Sequence, residues 1–279
     1  MTQMHSSASG AGPAPAISLS GATKRFLTKD GTPFTAIRDV TLEVAPGEFV
    51  AVVGPTGCGK STTLSLISGL EGASEGTVEV AGAAVDGIPD GVGYMFQGDA
   101  VLPWKNVLDN VALGLRFRGM GRREADGLAR DWIGRVGLTG FEDRYPHQLS
   151  GGMRKRVAMA QSLITEPSVL LLDEPFGALD VQTRELMQDE LLGLWSGTGA
   201  ACVFVTHDLT EAISLADRVV VMTAGPATVK DVVTVDLPRP RRVEEIRLTP
   251  EFIELYKRIW DSLREEVEIT RARGASRVA

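Results

Sequence analysis

The sequence predicts an α/β fold around a mainly parallel sheet, and three observations carry that prediction. "GEFVAVVG" (47–54) is an apolar run bounded by glycine, as a buried strand requires. A glycine-rich loop follows directly, and "KSTTLSLISGL" (60–70) then shows helical spacing at Leu64, Ile67 and Leu70. Two further apolar runs, "SVLLLDEP" (168–175) and "ACVFVTHD" (201–208), flank a helical segment at 181–195, the order that parallel strands with a crossover demand.

The remaining elements follow in chain order. "MTQMHSSASGAGPAPA" is rich in Ser, Gly, Ala and Pro, so residues 1–15 are expected to be a disordered lead. It has neither a basic start nor an apolar core, so it does not fit a secretory signal. "AISLSGATKRF" and "IRDVTLEV" alternate around a turn at Asp30 and Gly31, and "GTVEVAGAAV" closes a first β-rich block near residue 85. From about 100 to 165 the pattern is helical, with Leu108, Val111, Ala112 and Leu115 on one face and Leu128, Trp132, Ile133 and Val136 on another. "RVVVM" and "DVVTVDL" supply late strands. Thr249 and Pro250 then open an amphipathic helix carrying Phe252, Leu255, Tyr256, Ile259, Trp260 and Leu263, with "RARGASRVA" as a frayed tail.

The totals exclude several classes. A chain of 279 residues with 43% hydrophobic and 23% charged residues can bury a sizeable core. Two cysteines, Cys58 and Cys202, are too few for a disulfide framework and fit a reducing compartment. A net charge of −7 argues against nucleic-acid binding by bulk electrostatics. No stretch is long and apolar enough to span a membrane, so any membrane role is peripheral.

Gly54, Pro55, Thr56, Gly57, Cys58, Gly59, Lys60 and Ser61 match the pattern of a phosphate-cradling loop, with Thr62 next to it. Glycines let the backbone close around phosphate oxygens, and the open N–H groups of the following helix add positive potential. Lys60 is placed to neutralise the β- and γ-phosphates and Ser61 to ligate Mg²⁺. A flexible turn is the bland alternative; the strand–loop–helix setting argues against it. Asp173 ends an apolar strand, where it can hold Mg²⁺ through water, and Glu174 is placed to polarise an attacking water. Taken alone, the pair also fits a turn before Pro175. Ser150, with Gly151 and Gly152 behind it, is a helix N-cap that leaves N–H groups open to an anion, with an ordinary cap as the alternative. A chain with one phosphate loop needs no second in the same cleft, so this one is free to meet nucleotide held by another copy. Gln97 and His207 are candidates to contact the γ-phosphate or orient water.

In this order and spacing, "GPTGCGKST", Gln97, "LSGGM", "VLLLDEP", "GALD" and "VTHD" resemble the ATP-binding-cassette (ABC) ATPases over roughly residues 16–235. The resemblance implies an ABC-type cassette: an antiparallel β subdomain, a mainly parallel core and a helical subdomain at about 98–165, within an ATP-binding domain at 16–240 followed by a C-terminal helix and tail at 241–279. It implies ATP and Mg²⁺, with Mg²⁺ held by Ser61, Gln97 and Asp173. Phe26 would stack on adenine, Glu174 would be the general base, and His207 and Gln97 would act beside it. Asp180 would communicate across a head-to-tail dimer in which Ser150, Gly151 and Gly152 cap the partner's ATP. Met153 departs from the commonest signature, where glutamine stands, with the phosphate-facing residues intact. Cys58 is expected to be loop filler.

"VLPWKNVLDNVALGL", "DEPFGALDVQTRELMQDELL" and "FIELYKRIWDSLREE" are similar to the importers of nitrate, sulfonates and taurine. That implies a peripheral subunit at the cytoplasmic face of the membrane, with permease subunits as partners and a solute-binding protein behind them. "GDAVLPWKNV" would be the permease-docking surface; Trp104 in it fits either docking or core. Soluble DNA-repair or translation ABC ATPases carry long arms or paired cassettes, and the signature here follows Ser61 too closely for an arm. A guanine-reading Asn-Lys-x-Asp motif is absent, which argues against a GTPase.

Overall fold

The computed structural model describes residues 14–98 and 100–275, so 1–13 of the expected lead and 276–279 of the expected tail lie outside the described residues. β1 (Ile17–Leu27) and β2 (Pro33–Val44) pair antiparallel, Ile17 opposite Val44 and Phe26 opposite Phe34. β3 (Phe49–Val53) is wholly buried and runs into the glycine loop and α1 (Lys60–Ile67). The chain returns to the first sheet through β4 (Glu75–Val80) and β5 (Ala83–Ala84), giving the order β2-β1-β4-β5. Leu70, grouped with the helix by its spacing, lies past the end of α1 and is half exposed, because Gly69 turns the chain at φ +70°.

The second sheet collects the apolar runs. β6 (Val92–Met95), which the alternation did not reveal, pairs parallel with β7 (Val169–Asp173); β7 pairs with β8 (Ala201–Val205), and β8 with β3. β9 (Arg218–Met222) lies parallel on the other side of β3, and β10 (Val229–Thr234) closes the edge antiparallel. The order is therefore β10-β9-β3-β8-β7-β6, with β8 between the loop-bearing strand and the one ending in Asp173. Strands buried on both faces read as continuous Val/Leu runs, as here.

Four helices separate β6 from β7: α2 (Val107–Val111), α3 (Leu113–Phe117), α4 (Arg122–Arg135) and α5 (Gly151–Leu163). Their apolar faces join the β3 and β7 side chains in one core. Leu128 does not, because the buried stripe of α4 is Ala125, Ala129, Trp132 and Ile133, and Leu128 sits on its shoulder. Trp104 is 71% exposed, which removes its core reading.

α6 (Val181–Trp195) spans the 181–195 stretch named from the sequence, and α7 (Leu209–Leu215) follows β8. After α8 (Val243–Ile246), α9 (Pro250–Ala275) starts where expected, with Thr249 Oγ1 accepting from the Phe252 N–H at 3.3 Å. Phe252, Ile259 and Leu263 are buried, while Tyr256 and Trp260 are each 40% exposed, so the packed face is narrower than the apolar stripe. Where a frayed tail was expected from 271, the helix continues to Ala275; the Arg273 guanidinium reaches back to the Gly225 carbonyl and ties it down.

Candidate functional site

The carboxyl ends of the parallel strands open on one edge, where ligands of α/β sheets bind. β3 delivers the glycine loop there, β7 delivers Asp173, and the turn after β8 delivers His207. A cleft of about 480 Å³ is lined by Phe26, Phe34, Thr56, Gly57, Lys60, Ser61 and Thr62 on one side and by Gln97, Glu174 and His207 on the other. Gly59, at φ +120°, also lines it; a Cβ there would sit 2.6 Å from Ile37 Cγ2 and 2.9 Å from the Ala36 carbonyl oxygen, so no larger residue fits. Cys58 is buried behind the loop, and burial pushes its thiol up, away from the reactive thiolate form.

Within the cleft the polar groups form two connected sets. The buried Lys60 ammonium donates to the Gly54 and Pro55 carbonyls at 2.9 and 3.1 Å, which holds it over the loop. Ser61 Oγ donates to Asp173 Oδ1 at 3.0 Å. Burial raises the Asp173 carboxyl above the ordinary value, and the neighbouring Glu174 charge adds to the rise; Ser61 and Lys60 oppose it. The second set centres on Glu174. Gln97 Nε2 donates to its Oε2 at 3.1 Å, and His207 Nδ1 lies 3.3 Å from the same oxygen. Glu174 takes φ +42°, a left-handed backbone that side chains rarely adopt, held by its N–H donating to the Val205 carbonyl at 2.9 Å. The neighbouring strand thus turns the carboxylate out of the sheet and towards the cleft.

The outlying candidates are placed elsewhere. Ser150 caps α5, its Oγ accepting from the Met153 N–H at 3.3 Å, and neither it nor Gly151 nor Gly152 lines the cleft. Asp180 caps α6 through the Thr183 N–H at 3.0 Å; that bond holds its carboxyl below the usual range. Phe26, by contrast, lines the cleft, half-buried, with the Lys24 ammonium 4.9 Å from its ring centroid.

Several residues were missed from the sequence. The Lys155 ammonium, on α5 and 3% exposed, donates to the Gln97 carbonyl at 2.9 Å. Tyr94 on β6 neighbours Asp173, and burial followed by that charge drives its phenol upward. Thr206 Oγ1 donates to buried Glu211 at 2.6 Å and accepts the Asp208 N–H at 3.1 Å, which fixes the turn bearing His207. Phe34 and Ala36 line the cleft from β2. Only a lysine on an inward helical position hinted at any of these, and that pattern is indistinguishable in sequence from a solvated charge.

The arrangement suits a polyphosphate: a loop of backbone N–H groups, a cation over it, hard oxygen donors at its mouth and a carboxylate beyond. Comparison with known proteins agrees. The ABC transporter family profile matches residues 37–177. The chain is 43% identical over 240 residues to the taurine import ATP-binding protein TauB of Pseudomonas aeruginosa, covering 85% of this chain and 91% of that protein. It is 40% identical over 253 residues to the nitrate import ATP-binding protein NrtD of Synechocystis sp., covering 88% and 95%. Its fold is similar to that of a dimeric ATP-binding cassette solved in a post-hydrolysis state with ADP and Pi, with a TM-score of 0.71, 30% identity, and coverage of 80% of this chain and 100% of that one. Cleft, strand order and these likenesses converge: the chain belongs to the ABC transporter family and is an ABC-type ATPase.

Proposed function

We propose that this chain is the ATP-hydrolysing subunit of an importer of small anionic or organic solutes, of the nitrate, sulfonate or taurine kind, and that it drives a separate membrane permease. The observation that carries the catalytic part is the cluster of Gln97, Glu174 and His207 at one mouth of the cleft, facing the loop with Lys60. Solute class rests on likeness to taurine and nitrate import proteins.

Phe26 stacks on adenine, and the N–H groups of the loop at 54–62, with Lys60, hold the phosphates. The donors at the mouth fit Mg²⁺: the Ser61 hydroxyl, the Asp173 carboxylate and the Gln97 side-chain carbonyl, whose amide is engaged with Glu174. Mg²⁺ commonly takes much of its shell from phosphate oxygens and water, so these three donors are enough to hold it beside a bound nucleotide. Mg²⁺ would neutralise charge developing on the phosphates. Glu174 accepts the proton of a water attacking the γ-phosphorus while the bond to the β-phosphate oxygen breaks, leaving ADP and Pi. His207 orients that carboxylate, and Gln97 links it to the helical block.

Ser150, Gly151 and Gly152 complete the site from a second copy, with Asp180 signalling between the two sites. This accounts for a phosphate-binding helix start that lies outside its own cleft. No described helix is long and apolar enough to cross a membrane. By its likeness to import ATP-binding proteins, the chain works from the cytoplasmic face through its permease, fed by a solute-binding protein. The docking surface is the stretch around the exposed Pro103 and Trp104, beside a groove of about 670 Å³ walled by Ile88, Tyr94, Phe96, Leu113 and Phe117. Affinity purification of the tagged chain from detergent-solubilised membranes tests the reading. A polytopic permease among the co-purifying chains is the expected result; DNA-repair or ribosomal partners would overturn it.

A further inference from the structure

α9 is held by more than its apolar face. Phe252, Ile259 and Leu263 are buried, half-buried Leu255 and Val267 pack beside them, and the helix runs on to Ala275. Between Leu263 and Val267 stands Glu266, only 6% exposed. Its Oε2 accepts the Ala224 N–H at 2.8 Å, and its Oε1 pairs with the Lys230 ammonium of β10 at 2.6 Å. Farther along, the Arg273 guanidinium donates to the Gly225 carbonyl. The Ala224 and Gly225 contacts fall on the loop at 223–228, which closes on itself through the Thr223 N–H to Thr228 carbonyl bond at 3.0 Å.

The other side of that loop faces the phosphate loop. A Cβ on Gly225 would sit 3.8 Å from the Gly57 carbonyl oxygen and 3.9 Å from Cys58 Cα, ordinary contact distances that make the two loops neighbours. Met222, just before the turn, packs on Gly54: a Cβ there would meet Met222 Cβ and its carbonyl oxygen at 3.2 Å. Ala227 bonds to β2 in both directions, its N–H to the Ala36 carbonyl at 3.0 Å and its carbonyl to the Arg38 N–H at 2.8 Å. Ala36 itself lines the nucleotide cleft. The loop at 223–228 is thus held between α9 outside and the cleft's own backbone inside.

We infer that the C-terminal helix is a strut for the nucleotide cleft, with Glu266 positioning the phosphate loop through the turn at 223–228. Burying a carboxylate is costly unless it is paired and hydrogen-bonded, and here both conditions are met on the two elements it ties together. Burial pushes the Glu266 carboxyl up, but the bonds from Lys230 and the Ala224 N–H outweigh it and hold the carboxyl below the ordinary value. A phosphate cradle binds well only if its N–H groups are already aimed before the anion arrives, so slack behind the loop weakens nucleotide binding more than it slows chemistry. Glu266 is a positioning residue and does not touch the nucleotide.

This rests on the reading that the loop at 54–62 holds the phosphates, and the experiment separates the two. Binding of a fluorescent ADP to the full chain is measured alongside turnover at saturating MgATP, with amide hydrogen exchange read over 55–60. Glu266→Ala is expected to raise the ADP Kd about five-fold, leave kcat within about two-fold, and speed exchange in the loop. Glu266→Gln keeps an acceptor for the Ala224 N–H and is expected to recover most of the affinity. An unchanged Kd in a folded Glu266→Ala protein overturns the strut. Should that variant not fold, Arg273→Ala perturbs the same turn from a solvent-facing position. A Kd raised about two-fold then supports the strut, and unchanged Kd and exchange overturn it. Lys60→Ala in parallel must lose ADP affinity; if it does not, the phosphate-loop reading fails instead.

Discussion

The cleft and the start of α5 are the two places where phosphate binding is proposed, and they are finished to different degrees. The cleft gathers its loop, cation, hydroxyl, carboxylates and imidazole from the ends of three neighbouring strands, β3, β7 and β8, all within one chain. The start of α5 offers only a capping serine and two glycines, none of which lines that cleft, and its serine oxygen is engaged with its own helix. Under the proposed function, the first region holds nucleotide by itself and the second waits for one. The difference then teaches that binding is a property of the single chain, whereas the closed hydrolytic site belongs to a pair.

The comparison breaks most sharply at Glu174. Glu174→Gln is expected to keep MgATP affinity and lower kcat about a hundred-fold or more, measured as phosphate release; retained turnover would remove Glu174 from the general-base role. Next comes Asp173→Asn, which keeps the Ser61 contact but loses the charge. It should bind nucleotide with little dependence on Mg²⁺, where the native chain is expected to tighten about ten-fold on adding the metal, read by titration with and without a chelator. The link between the two regions is Lys155, since it sits on α5 with Ser150 and bonds the Gln97 carbonyl. Lys155→Met is expected to lower kcat about five-fold with the ATP Kd unchanged, in steady-state kinetics, because the contact carries orientation and not affinity.

The smallest effect concerns the back of the cleft. The Glu266 carboxyl lies below its unfolded value, so it contributes stability at pH above about 4.5, and that contribution is lost as pH falls through its folded value. The melting temperature of the native chain should therefore drop by a few degrees more than that of Glu266→Gln between neutral pH and pH about 4.

Much of this was legible in the residues. Apolar runs at 47–54, 168–175 and 201–208 became β3, β7 and β8 because strands buried on both faces admit little else. The glycine loop declared its chemistry through its setting between strand and helix, and the family likeness and ATPase activity followed. What stayed hidden was contact at long sequence separation. Lys155 and Gln97 are 58 positions apart, and Glu266 and Ala224 are 42 apart. Each is an ordinary polar residue until the fold places it. β6 was hidden for another reason: its four residues are too short to show alternation. The apolar stripe of α9 misled in the opposite sense, because Tyr256 and Trp260 lie on its shoulder with their rings half exposed.

The most direct test of the paired site is Gly151→Asp. The position is open, with the nearest atom to a Cβ there being an Arg154 nitrogen at 4.0 Å, and an acidic residue in the first turn of α5 favours the helix. Folding and the chain's own cleft are untouched; only the phosphate-facing surface becomes repulsive. ATP binding and phosphate release should be measured together on this variant. The account predicts a native ATP Kd with kcat reduced about fifty-fold or more. Native kcat at a native Kd would show that the start of α5 never meets nucleotide, and would contradict the account.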